Sequence, residues 1–247
     1  MSPRFFYTGD IQVGQTIELA STTGHHVTRV LRVKTGDSVI LFNGEGGEFS
    51  ARITSDRKNI TTVTIDKFSA IERESPLTIE LVQALCVNEK MDLIIQKSVE
   101  LGVSSIQPVT TTRSIVRLNN ERAIKRLEHW QRVIISACEQ CGRNLVPTIS
   151  PLVSFTDWAS QTKTCKPDHL GFMLSVTGNT SLKELPIPPS LLRITLVTGP
   201  EGGLTPEESA ILQNAGFLSL RMGNRILRTE TAALATIAAL QMHWGDF

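Results

Sequence analysis

The stretch TGPEGGLTPEE, Thr198–Glu208, decides how the chain is read. It follows Ile194, Thr195, Leu196 and Val197, a β-branched and apolar run that reads as a strand stopped by Gly199 and Pro200. It leads into a helix. Thr205 is a good N-cap, Pro206 suits the first helical position, and Glu208 completes a capping box. Gly199 to Gly203 is therefore a tight loop between the C-terminal end of a strand and a helix N-terminus, the edge at which open α/β sheets bind ligands. Gly202 and Gly203 can take positive φ and let a ligand approach the backbone closely. The stretch lacks the Gly-Lys-Ser/Thr ending of a P-loop and the Gly-x-Gly-x-x-Gly spacing, and Glu201 would repel a phosphate. A neutral or cationic ligand fits better; a plain structural turn is the competing reading of the loop taken alone.

A second stretch, LRMGNRILRTETAALATIAAL, Leu220 to Leu240, repeats the arrangement. A strand, Phe217 to Arg221, runs into Gly223 and a loop, and Thr229 is expected to cap a helix reaching His243. That helix is rich in alanine, which suits close packing on a sheet or against a second copy of the chain. Arg225, Arg228 and Glu230 lie in or near the loop beside apolar Ile226 and Leu227, more charge than a plain turn needs.

Strand and helix alternate through the rest of the C-terminal part. Strands are expected at Leu77 to Leu85, Ile106 to Val109, His169 to Leu174 and Arg193 to Val197. Helices are expected at Asn88 to Leu101, Glu121 to Gly142 and Thr205 to Ala215, with Ile124, Leu127, Val133, Ile134 and Ala137 of the long one inward. Such alternation means a parallel sheet covered on both faces. The first seventy residues instead show short alternating runs, TIEL, HHVTRVLRV, DSVILFNGEGGEFSARI and ITTVTIDKF, split by turn residues; they read as a small β-barrel. The charged ERESP, Glu72 to Pro76, marks the linker, so the expected domains are 1–72 and 73–247.

Bulk composition bounds the partners. The 247 residues are 40% hydrophobic and 20% charged, enough for a real core, and net charge is +1. Any nucleic-acid site must then be a local patch. Between Arg113 and Arg143 there are seven bases against three acids, mostly on the long helix, and Arg4, Arg29, Arg32 and Lys34 add a patch in the N-terminal part. Two patches of one sign suggest a phosphate track, with a solvated helix face as the alternative. No apolar leader and no run of 18 apolar residues is seen, so no membrane partner and a cytoplasmic location are expected. Of the four cysteines, Cys138 and Cys141 form a Cys-x-x-Cys. No second pair or histidine cluster completes a zinc site, and the pair ends a helix where a redox thiol wants its start. No metal is expected.

TGPEGGLTPEE and RILRTETAALATIAALQ together resemble the ribosomal RNA small-subunit methyltransferase E family, the 16S rRNA N3-uridine methyltransferases of the SPOUT class. HHVTRVLRVKTGD resembles the family's N-terminal barrel, and EKMDLIIQKSVELGVSSIQPV and WQRVIISACEQCGRNLVP its first helices, so the similarity runs over essentially the whole chain. The resemblance implies a PUA-like RNA-binding β-barrel, then a SPOUT α/β domain with a mostly parallel sheet and a deep trefoil knot. It implies a homodimer, with S-adenosyl-L-methionine as cofactor and 16S rRNA, within the small ribosomal subunit, as substrate. The cofactor positions carried over are Leu174 and Ser175; Thr198, Gly199, Pro200, Glu201, Gly202 and Gly203; and Met222, Gly223, Ile226, Leu227 and Arg228. Uridine N3 needs a base for its proton and a cation for the charge that spreads onto O2 and O4. Arg228 is the expected cation, and Glu230 the expected base or orienter of the base. RNA contacts are expected from Arg4, His26, Arg29 and Arg32 in the barrel and from Arg113 and Arg143 beyond it. Two other functions stay open: methylation of a ribose 2′-oxygen or another rRNA base, and RNA binding in assembly without turnover.

Overall fold

The computed structural model describes residues 2–19, 34–57, 60–162, 168–185 and 193–247. The described strands are β1 (Arg4–Phe6), β2 (Thr16–Leu19), β3 (Ser38–Phe42), β4 (Glu48–Arg57), β5 (Ile60–Ser69), β6 (Thr78–Ala84), β7 (Ser105–Thr110), β8 (Thr148–Ile149), β9 (Val153–Ser154), β10 (His169–Leu174), β11 (Arg193–Thr198) and β12 (Leu218–Leu220). The α-helices are α1 (Asn88–Glu100), α2 (Asn120–Cys141), α3 (Phe155–Gln161), α4 (Pro206–Asn214) and α5 (Thr229–Trp244). The chain divides into two compact units, Met1–Glu74 with Cys138–Val146, and Ser75–Ala137 with Pro147–Phe247.

The first unit is built on a five-stranded sheet in the order β1-β3-β4-β5-β2. β1 runs parallel to β3, and the other pairs are antiparallel. Its core follows from two-residue alternation: Val39 and Leu41 on β3, Ala51 and Ile53 on β4, and Val63 and Ile65 on β5 all face inward with Phe5. The turn residues Asn43 and Gly44 split DSVILFNGEGGEFSARI as read: the glycine-rich turn at 43–47 separates β3 from β4. HHVTRVLRV lies outside the described residues. A buried charge cluster joins the sheet to the segment after α2. Glu48 takes hydrogen bonds from Arg4 at 2.6 Å and Arg73 at 2.9 Å. Arg4 also donates to Asn144 Oδ1 at 2.6 Å and lies over the Phe42 ring. Burial pushes the Glu48 carboxyl up, but the hydrogen bonds and charges of Arg73 and Arg4 outweigh it and hold it below the ordinary carboxylate range.

The second unit is a parallel sheet in the order β12-β10-β11-β6-β7-β8, with β9 also on β7. Every pairing in it is parallel. Central β11 reads RITLVT and is buried from Ile194 to Thr198, as a strand covered on both faces must be. Phe155, Trp158, Leu212 and Phe217 close one core cluster against Val82, Val109, Met173 and Val197.

On α2 Ile134 and Ala137 of the expected inward stripe are buried, and Leu127 and Val133 are half-buried. Ile124 is 59% exposed, and the buried positions are Trp130, Ile134, Ala137 and Cys138, a spacing that keeps one helix face. Cys86 and Cys138 are free and buried, and burial pushes each thiol up to about 12, so neither supplies a thiolate at neutral pH. Among the described residues no group of three or more His, Cys, Asp or Glu is placed to hold a metal, and no helix is long and apolar enough to cross a membrane.

Candidate functional site

β12, β10 and β11 are neighbours, so the loops that follow Leu220, Leu174 and Thr198 leave the sheet side by side. Backbone hydrogen bonds knit the first two together: Ser175 N donates to Leu220 O at 3.0 Å, and Arg221 N to Thr180 O at 3.0 Å. The third is tied in by a side chain. Thr229 was expected to cap α5, but Arg228 holds the N-cap position without a side-chain cap bond. The Thr229 hydroxyl is buried and donates instead to Gly199 O at 2.7 Å.

These loops enclose a cleft of about 950 Å³. Leu174, Ser175, Thr198, Gly199, Pro200, Glu201, Gly202, Gly203, Met222, Gly223, Ile226, Leu227 and Arg228 all line it. The glycines of the third loop differ in role. Only Gly203 has positive φ, +69°, while a Cβ on Gly199 would come within 2.9 Å of Leu204 N and 3.0 Å of Gly203 C. Gly199 is thus the residue that lets the loop fold back on itself. The turn closes with Gly203 N on Pro200 O at 2.8 Å, and the capping box that starts α4 forms as expected. Glu208 goes further: its second carboxylate oxygen accepts from Thr112 N at 2.8 Å, joining α4 to the end of β7.

Arg113, expected to touch RNA, is turned to this loop. Its Nη1 donates to Gly202 O at 2.9 Å and Leu204 O at 3.2 Å, and the side chain lines the cleft. Lys90, on the first turn of α1, is the residue that motif reading missed. It lines the cleft, donates to Glu201 Oε1 at 3.2 Å and lies 3.7 Å from Glu230 Oε2. Burial alone would raise the Glu201 carboxyl. Hydrogen bonds from its own backbone, Lys90 and Val87, with the Lys90 charge, hold it below the usual value, so it is ionised at neutral pH. Glu230 is not among the residues that line the cleft and meets it through Lys90. Arg228 lines the cleft, is exposed, and forms no ion pair among the described residues. Lys90 carried no signal of its own, because its position in NEKMDLIIQK reads as one more exposed residue of an amphipathic helix.

The remaining expected RNA contacts sit elsewhere. His26, Arg29 and Arg32 lie outside the described residues. Arg4 and Arg143 do not suit phosphate contact: their side chains are only 7% and 6% exposed, and their charges are matched by Glu48 and Glu74. A guanidinium already buried on a carboxylate has little left to offer a solvent-borne anion.

One unit of the chain is an α/β unit with a loop-built cleft at the C-terminal edge of its parallel sheet, and the other is a small β unit. The RNA methyltransferase domain model matches residues 73–241, and the RNA methyltransferase PUA domain model matches residues 19–65. The chain belongs to the ribosomal RNA small subunit methyltransferase E family. It is 34% identical over 244 residues to that enzyme of Buchnera aphidicola subsp. Schizaphis graminum, covering 99% of this chain and 97% of the relative. The enzyme of Bacillus subtilis is 30% identical, with coverage of 93% and 91%. Among solved structures, ribosomal RNA small subunit methyltransferase E from Neisseria gonorrhoeae, bound to S-adenosyl methionine, superposes with a TM-score of 0.91 at 40% identity over 100% of both chains.

Proposed function

We propose that this protein transfers a methyl group from S-adenosyl-L-methionine to N3 of a specific uridine in the 16S rRNA of the small ribosomal subunit. The observation that carries the reading is the cleft itself: three loops from adjacent strand ends converge on it, and all the family's expected cofactor positions line it. Its donor set suits the cofactor. No phosphate loop is present, an ionised Glu201 faces a space that a sulfonium would enter, and Thr198 Oγ1 is buried there without a hydrogen-bond partner among the described residues. S-adenosyl-L-methionine supplies an electrophilic methyl group.

The chain's own residues then do three things. Backbone groups of Gly199 to Gly203 and Met222 to Leu227 hold the cofactor and fix the methyl direction. Arg228 meets the negative charge that spreads onto uracil O2 and O4 as the N3 proton leaves, assisted by the positive end of α5, at whose N-terminus it stands. Glu230 acts as an orienting residue through Lys90 rather than as the base in contact with N3, since only Lys90 of the pair lines the cleft.

Finer features belong to the same reading. The last part of the chain forms a trefoil knot through the three loops; the support is the way the segments at Thr180, Leu220 and Gly199 lock onto one another. The five-stranded sheet belongs to a PUA-like barrel that binds RNA. The active unit is a homodimer in the cytoplasm, where small subunits are made, and the transfer uses no metal. The test is to supply methyl-labelled S-adenosyl-L-methionine and small subunits lacking the modification, then digest the RNA. Label in 3-methyluridine is expected; label in a 2′-O-methyl nucleoside overturns the acceptor atom, and no label with no cofactor binding overturns the enzyme.

A further inference from the structure

A second concavity lies in the same compact unit as the cleft. It is a groove of about 720 Å³ lined by Arg117, Arg122, Lys125 and Arg126, with Val87 and Asn88 completing its wall. Three of these bases come from the first two turns of α2, at positions 122, 125 and 126, the i, i+3, i+4 spacing that puts side chains on one helix face. The only ion pair made among these four side chains, within the described residues, is Lys125 with Glu121 at 2.7 Å, and both of its members are well exposed. Arg117 spends one long 3.4 Å hydrogen bond on Thr112 O. His129 also lines the groove and is matched by Asp92 at 2.8 Å. The three guanidiniums therefore line one groove, and among the described residues none of them pairs with a carboxylate. Like charges so placed raise one another's energy unless an anion joins them, and the guanidinium fork matches phosphate oxygens.

The groove adjoins the cleft. Val87 lines the groove, and its N–H donates to Glu201 Oε1 at 3.4 Å on the cleft loop. The bases expected to serve RNA from this region, Arg113 and Arg143, are occupied by loop carbonyls and by Glu74, whereas among the described residues the Arg122 and Arg126 side chains form no hydrogen bond or ion pair and Arg117 only its long bond to Thr112 O. We propose that this groove binds the phosphodiester backbone of the substrate RNA beside the nucleotide being methylated. The inference rests on the methyl-transfer reading for the identity of its ligand. A polyanion whose base lies in the cleft must lead its flanking phosphates away over a neighbouring surface, and here that surface is cationic and concave.

The test uses the full-length protein carrying Arg122→Glu with Arg126→Glu, and Arg132→Glu as a control, since Arg132 is exposed on the same helix but does not line the groove. The double variant is expected to weaken binding of small-subunit rRNA and raise its KM by about tenfold, with kcat and S-adenosyl-L-methionine affinity unchanged. The slope of log affinity against log salt should become shallower by about 1.5, the loss of two phosphate contacts. Arg132→Glu should match the parent in all five. RNA affinity, KM and salt slope equal to the parent in the double variant overturn the groove, as does an equal loss in the Arg132→Glu control. If the parent binds RNA in this groove-dependent way yet transfers no methyl group, the proposed reaction fails and the groove stands.

Discussion

Arg228 and Gly199 separate chemistry from architecture at the scale of single residues. Arg228 is exposed, lines the cleft and forms no ion pair among the described residues, so Arg228→Ala should leave folding intact. Its loss should lower kcat by about two orders of magnitude with little change in cofactor affinity, as removal of one preorganised charge-stabilising donor does; single-turnover methyl transfer measures it. Gly199→Ala should do the reverse. The new methyl would press on backbone at 2.9 Å, which cannot rotate away, so the loop must open and cofactor binding in calorimetry should fall by more than tenfold. Gly203→Ala meets no atom and suffers only the left-handed strain, about 1 kcal/mol in a thermal melt. From sequence Gly203 was read as free to take positive φ, and nothing marked Gly199 as the tighter position. What distinguishes them is the return path of the loop, which no local pattern encodes. The same limit explains the arginines. The letter R announces a cation, but Arg113 is consumed by two carbonyls and Arg143 by Glu74, partners 89 to 91 and 69 residues away.

The helix α4 shows why some elements were legible and others not. Thr205, Pro206 and Glu208 declare its start locally, and the capping box is present as read. That Glu208 also receives Thr112 N was not readable, yet it sets the energetics. Thr205→Ala removes one cap and should cost about 1 kcal/mol. Glu208→Ala orphans both Thr112 N–H and the Thr205 N–H it accepts from at 2.9 Å, and should cost about 3 kcal/mol; denaturant unfolding compares them. The strands β8 and β9 span two residues each, too short to show any period. Ile124 misled because an apolar residue near a helix start satisfies the period whether or not a neighbour covers it. The N-terminal sheet carries a pH signature of its own. Glu48 has a depressed folded-state pKa, so its contribution is fully present above the unfolded-state value and is lost as pH falls through the lower, folded one. Acid melts should show stability dropping below the ordinary carboxylate range, and Glu48→Gln should flatten that part of the profile while lowering stability at neutral pH.

At the scale of the whole molecule, the alternation of strands and helices announced a parallel sheet, and the sheet is there. Its order was not legible, because β11 enters between β10 and β6, neither of which carries a mark of it. Nor was the make-up of the first unit, which draws Cys138–Val146 from far along the chain. Residues 1–74 alone would lack the Asn144 side chain that Arg4 binds and the Arg143 that pairs with Glu74. That fragment is expected to show poor amide dispersion by NMR, and a version with residues 138–146 appended by a flexible linker to recover it. The position of β11 also governs order in time. β10 is synthesised before the strand that must separate it from β6, so it can hold no native neighbour until β11 emerges, and Gly199 waits a further 30 residues for the Thr229 hydroxyl. At a translation rate of about 5–20 residues per second, the cleft matures seconds after β11 has emerged. A nascent chain stalled before residue 229 therefore holds most of its sheet but no finished cleft, so the capacity to act on RNA is withheld until Thr229 has emerged.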